Sequence, residues 1–145
     1  MGQEMIVFFD TSALLRCYFS EIQSQQIRDL WNQAHTRVGS VLLGAEILAG
    51  FARKRRENPT DAPVIATTQA LFLRHWQTMD RVTLSPALFP ILARLHVTHT
   101  LRGADSLHLA AAVFYQQHIT EPIVFACVDA VLMNAAKVEG LEVSP

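Results

Sequence analysis

Charge is scarce in this chain, and the charges it has nearly cancel. Charged residues are 17% of the 145-residue sequence, against about 25% in an average soluble domain. Lys plus Arg is 12 and Asp plus Glu is 13, a formal net charge of −1. That balance excludes a general electrostatic clamp for nucleic acid, which would be strongly basic. Any contact with RNA or DNA must come from a local patch. Ten of the 12 basic residues are arginine, the better bidentate partner of phosphate. Cysteine is scarce too. Cys17 and Cys127 lie far apart in apolar segments with no metal-ligand spacing, so they read as buried free thiols of a reducing compartment. No apolar run reaches the ~18 residues of a membrane span. The opening MGQEMIVFFD has no basic n-region and no small-residue cleavage site, so no signal peptide is expected and a cytoplasmic location is. Repeats and low-complexity tracts are missing.

What is abundant is apolar. Hydrophobic residues make up 50%, which excludes disorder. The length fits one domain over residues 1–145, able to build its own core without a disulfide or structural metal. So few charges also point to apolar surface covered by a partner. The run Met5 to Phe9 reads as a buried strand that ends at Asp10. Thr11 or Ser12 can cap a helix to about Phe19. A second helix fits Glu21 to Ala34, with Ile22, Ile27, Leu30 and Trp31 on its apolar side. Arg37 to Val41 is extended, and Leu42 to Arg56 and Val64 to Thr78 read as helices. Arg81 to Leu84 reads as a short strand. Ser85 and Pro86 open a further helix, followed by the Ala- and Leu-rich helix Gly103 to His118. Pro122 to Cys127 is a second buried strand, Ala130 to Glu139 a helix stopped by Gly140, and Leu141 to Val143 a last strand. Strands alternating with helices predict a three-layer α/β/α fold with a short, mainly parallel sheet. Ligands of such sheets sit beyond the carboxyl ends of the strands, where Asp10 and Asp129 fall.

Four acids stand among apolar neighbours: Asp10 in VFFDTSALL, Glu46 in LLGAEILAG, Asp105 in LRGADSLHLAAA and Asp129 in FACVDAVLMNAA. Most other acids occupy polar stretches. A carboxylate in an apolar setting is costly to desolvate unless it is paired or bound to a metal. Arg102 can pair with Asp105, but the nearby cations do not suffice for all four. Taken singly, each acid has a structural reading. Asp10 and Asp129 would be helix caps, and Glu46 and Asp105 would complement helix dipoles. Taken together, the excess negative charge is best met by divalent cations. An oxygen-only donor set favours Mg²⁺ or Mn²⁺ over Zn²⁺.

These four segments, in this order, resemble the motifs of the PIN-domain family, most closely its VapC-type toxin ribonucleases. FDTSALL resembles the first motif and SVLLGAEILAGFARK the second. RGADSLHLAAA resembles the third and VDAVLMNAAKVEGLEV the fourth. The match runs from Ile6 to Val143. Val128 departs from the small or hydroxyl residue more usual before the last Asp. The resemblance implies a metal-dependent endoribonuclease, the toxin of a toxin–antitoxin pair. Asp10, Glu46, Asp105 and Asp129 would be the ligands of Mg²⁺ or Mn²⁺, and Thr11 and Ser12 would supply a hydroxyl beside them. RNA would be the substrate, with a homodimer and a small antitoxin as partners.

His108, three residues after Asp105, faces a similar direction on one helix. It reads as a packed core histidine, with contact to the site as the alternative. Asn134, five residues after Asp129, reads as a polar residue on the helix surface, with orientation of a water as the alternative. Arg53-Lys54-Arg55-Arg56 reads equally as a phosphate grip or a solvated helix end. Trp31, Phe72 and Trp76 read as core or partner surface, with base-stacking platforms as the alternative. A haloacid-dehalogenase-type phosphatase would need an Asp where Ser12 stands, and a receiver domain would need an acidic pair and a late Lys. The remaining alternative is a non-catalytic PIN-like binding module, which tends to lose one or more of the acids.

Overall fold

The computed structural model describes residues 4–145. The reading of the extreme N-terminus, and the first three positions of the expected domain, lie outside the described residues. A five-stranded sheet runs in the order β3-β2-β1-β4-β5, and every pairing is parallel. Its strands are β1 (Ile6–Phe9), β2 (Thr36–Ser40), β3 (Asp80–Val82), β4 (Ile123–Ala126) and β5 (Glu142–Ser144). The helices are α1 (Thr11–Tyr18), α2 (Ser24–Gln33), α3 (Val41–Glu57), α4 (Ala62–Thr78), α5 (Phe89–Thr98), α6 (Gly103–Gln117) and α7 (Ala130–Val138). No helix among the described residues is long and apolar enough to cross a membrane.

The strand β1 explains the layering. All four of its residues are buried, and successive side chains point to opposite faces of the sheet. Ile6 and Phe8 join the core under α5, α6 and α7, with Phe125, Leu109 and Leu132. Val7 and Phe9 join the other core, with Leu14, Ile27, Leu43, Phe51 and Phe72 from α1 to α4. One continuous apolar run thus serves two cores, which is why it shows no alternation. Register along β1 places Phe8 beside Val38 of β2 and Phe125 of β4.

Several sequence expectations shift. Of the caps offered for α1, the one used is Asp10 rather than Thr11 or Ser12: its carboxylate accepts the Ala13 N–H at 2.8 Å. The second helix starts at Ser24 because Gln23 adopts a left-handed conformation, φ 70°. Ile22 therefore falls outside the helix and is 83% exposed rather than on an apolar side. Pro86 opens a short 3₁₀ turn before α5, with Ser85 accepting the Ala87 N–H. Trp31 and Trp76 are part-buried in the α1–α4 core. Gly44 of α3 is needed there, since a Cβ would lie 2.9 Å from the Trp76 ring. The exposed large apolar residues lie elsewhere, among them Phe89, Val97, Val64, Val131 and Val138. Cys127 is buried, whereas Cys17 is only part-buried.

Candidate active site

The chain runs from β1 to β2 on one side of the sheet and reaches β4 on the other side of β1. The strand order therefore reverses between β1 and β4. A crevice opens at such a switch point, beyond the carboxyl ends of the strands. Asp10 directly follows β1, and Asp129 follows β4 after two residues. The helices α1, α3, α6 and α7 all begin near this edge. Side chains of the site cap three of them. Asp10 caps α1, and Ser40 at the end of β2 caps α3. Asp129 caps α7 through one oxygen, Oδ1, which accepts the N–H groups of Val131 at 2.8 Å and Leu132 at 3.2 Å. Helix N-termini carry partial positive charge and favour carboxylates there.

A cavity of about 220 Å³ results, lined by Asp10, Thr11, Ser12, Leu15, Glu46, Arg102, Asp105, His108 and Asp129. The fold thus brings all four sequence-singled acids, with both hydroxyls, to one place. Asp10 is 2% exposed. It accepts the Ser12 hydroxyl at 2.9 and 3.0 Å and the Ala13 N–H. Burial nevertheless holds its pKa above the ordinary carboxylate value, against the lowering effect of those bonds. Glu46, on α3, has its pKa lowered, first by the hydrogen bond to His108 and further by that from Thr11. Both bonds fall on Oε1: the Thr11 hydroxyl donates at 2.6 Å and His108 Nε2 lies at 2.5 Å. Asp105, in the first turn of α6, takes the Arg102 guanidinium at 2.9 Å on Oδ2. That pair is open to water, with Arg102 80% exposed.

Three carboxylate oxygens, Glu46 Oε2, Asp105 Oδ1 and Asp129 Oδ2, accept no hydrogen bond among the described residues. Four carboxylates and two hydroxyls are the donor set of a hard divalent cation. The fit is one of donor chemistry: no three His, Cys, Asp or Glu side chains among the described residues form a ready-made cage.

Other residues fall differently from the sequence reading. His108 is buried, at 2% exposure, yet it also lines the cavity. The core and site readings hold together. Its spacing from Asp105 was the available signal, while Ser40, which its ring also touches, carried none. Asn134 lines a separate cavity with Thr98, His99 and Leu101. Two members of the basic run at the end of α3 contact groups outside the cavity. Lys54 lies 3.9 Å from Glu21 and over the Phe19 ring, and Arg55 donates to Gln69.

A fold, a switch-point crevice and an acidic cavity of this kind define a class, and the sequence places the chain within it. The PIN domain family model matches residues 7–121, and the chain belongs to that family. The match includes Asp10, Glu46 and Asp105 and stops before Asp129. Two curated relatives are Ribonuclease VapC45 from Mycobacterium tuberculosis (strain CDC 1551 / Oshkosh) and Ribonuclease VapC49 from Mycobacterium tuberculosis (strain ATCC 25618 / H37Rv). Each is 28% identical over 141 residues, covering 97% of this chain and 95% of the relative. Among solved structures, the crystal structure of VapBC2 from Rickettsia felis bound to a DNA fragment from their promoter contains a chain of the same fold. The TM-score is 0.67 at 12% identity, covering 97% of this chain and 98% of that one. The three-layer α/β/α expectation stands.

Proposed function

We propose that this chain is a metal-dependent endoribonuclease that hydrolyses RNA phosphodiester bonds, as the toxin of a toxin–antitoxin pair. The observation that carries the reading is one cavity lined by Asp10, Glu46, Asp105 and Asp129, with the exposed Arg102 as the one Lys or Arg among the described residues that line it. The ribonuclease names of the curated relatives support RNA as substrate. The VapBC2 neighbour supports a small antitoxin partner. The proposed unit is a single domain over residues 1–145, cytoplasmic and homodimeric. Its exposed Phe89, Val97, Val131 and Val138 are surface that a second protein would cover.

The metal ligands in this reading are Asp10, Glu46, Asp105 and Asp129, and the ion is Mg²⁺ or Mn²⁺. When bound, such an ion supplies an activated water and positive charge for the attacked phosphate. The chain's own part is orientation and charge. Ser12 holds both oxygens of Asp10, and Thr11 and His108 hold one oxygen of Glu46. The helix N-termini at α1, α3, α6 and α7 lessen the cost of gathering four carboxylates. The Arg102 guanidinium, at the cavity and largely exposed, is placed to meet a phosphate oxygen. The test is cleavage of total RNA by the chain freed of any partner, with Mg²⁺ or Mn²⁺ and with chelator. Full activity in chelator overturns the metal mechanism. No cleavage with either ion, by a folded protein, favours a non-catalytic binding module.

A further inference from the structure

We propose that His108 is a positioning residue: braced by Ser40, its ring pins one oxygen of Glu46 and leaves the other for a divalent cation. The inference rests on the metal-dependent reading of the cavity and adds a residue to it.

The ring sits on α6 one helical turn after Asp105, and both of its nitrogens are engaged. Nδ1 lies 3.1 Å from the Ser40 hydroxyl, and Nε2 lies 2.5 Å from Glu46 Oε1. The Thr11 hydroxyl stands 3.2 Å from the same Nε2 and donates to the same Oε1. One ring thus joins the end of β2, the first turn of α1, the middle of α3 and the start of α6. An ionised carboxylate only accepts, so Nε2 carries the hydrogen. The Ser40 oxygen accepts the Leu43 N–H that caps α3. Its own hydrogen is then available to Nδ1. Hydrogen on Nε2 toward Glu46, with the Ser40 hydroxyl against Nδ1, satisfies every partner.

The consequence lies at Glu46. Its side chain has several rotatable bonds and is 34% exposed. Two donors from two different helices converge on Oε1, while Oε2 has no hydrogen-bond partner among the described residues. The carboxylate is oriented before any ligand arrives, which removes part of the ordering cost of binding. A histidine serving the core alone needs partners for its nitrogens. It does not need one of them to be a half-exposed acid on a cavity wall. Partners that orient ligating side chains are worth about 10–100-fold in metal affinity.

The experiment is calorimetric titration of Mn²⁺ into the full chain, purified free of any partner, for wild type, His108→Leu and His108→Gln. Glutamine can donate an amide N–H from near the Nε2 position. We expect His108→Leu to weaken Mn²⁺ binding about tenfold or more and His108→Gln to recover most of it. Metal-free melts run alongside, because a role in packing alone would lower the melting temperature and leave the affinity of the folded protein unchanged. Wild-type affinity in folded His108→Leu overturns the inference and leaves the metal reading intact. No Mn²⁺ binding by the wild type overturns both. If His108→Leu does not fold, Ser40→Ala keeps the ring and removes its brace. Reduced affinity in folded Ser40→Ala then supports the inference, and unchanged affinity overturns it.

Discussion

Two carboxylates, one at each end of the α7 region, meet opposite surroundings. Glu139 follows the last turn of α7, with its side chain 6% exposed. Arg94 holds it at 2.6 Å and His99 at 2.8 Å, both from α5 or its end. Burial pushes its pKa up, but the bonds to His99 and Arg94 outweigh burial, and it lies below the ordinary value. Asp10, near the start of α7, has hydroxyl and N–H donors and no ion pair among the described residues. There burial wins and the pKa is raised. Both acids have hydrogen bonds, so satisfaction alone does not tell them apart. What differs is charge compensation. Glu139 is neutralised by the chain itself and ties α5 to α7. Asp10 has no ion-pair partner among the described residues, and an acid shifted by burial on the wall of a cleft is a candidate for a functional site.

The largest expected effect breaks the comparison at Asp10. Asp10→Asn keeps an acceptor for the Ala13 N–H and removes a buried charge. RNA cleavage should fall by at least ~100-fold, since a direct ligand matters no less than the residues that orient it. The metal-free melting temperature should hold or rise. Glu139→Gln should retain activity, and parallel cleavage assays on the two variants decide whether the sites differ in kind.

Next comes mass action. An ion bound only by the folded state, at 100 times its dissociation constant, should add about 2.7 kcal/mol. Thermal melts with and without Mn²⁺ measure this. Glu139→Gln should keep the shift, and a Glu46→Gln, Asp129→Asn protein should lose it. An equal shift in that double variant would move the ion elsewhere.

Glu139→Gln should itself cost about 1–2 kcal/mol at pH 7, the worth of hydrogen bonds to a charged group, one of whose partners, Arg94, is 51% exposed. Its folded pKa lies below the ordinary 4.5. The stabilisation is therefore fully present above 4.5 and is lost as pH falls through the lower folded value. Denaturant melts of both proteins at pH 7 and in acid should show the gap closing, and a gap that widens in acid would contradict the ion-pair account. The smallest effect belongs to Arg102→Ala. The Arg102–Asp105 pair is exposed, so the melting temperature should not move measurably. Calorimetry should find Mn²⁺ binding slightly tighter, because a cation competing for Asp105 is gone; weaker binding would give Arg102 another role.

Legibility in the sequence followed how local each cause was. The strands β1 and β4 and the helix α6 were plain because long apolar or Ala-rich runs leave few other structures. The start of α2 was not, since Gln23 turns left-handed for a reason its neighbours do not display. Asp10, Glu46, Asp105 and Asp129 were visible as acids in apolar settings. Thr11 and Ser12 were visible as hydroxyls beside the first of them. Which of Asp10, Thr11 and Ser12 caps α1 stayed open, because Asp, Thr and Ser are all good caps and only the backbone chooses among them.

The sequence by itself marked four acids by their apolar neighbours along the chain, and the fold buries Asp10 among them and leaves Glu46, Asp105 and Asp129 part-exposed, because desolvation depends on neighbours in space. It also set the order of strands and helices, because hydrophobic runs and their breaks are local. Tertiary structure alone decided which costs the chain would meet for itself. Glu139 stood in a polar stretch, and only the meeting of α5 and α7 brought it Arg94 and His99 from 45 and 40 residues away. His108 finds Ser40 across 68 residues and Glu46 across 62. Partners that distant follow from the parallel crossovers and the reversal of strand order at β1, which place side chains in contact without leaving a trace in local pattern.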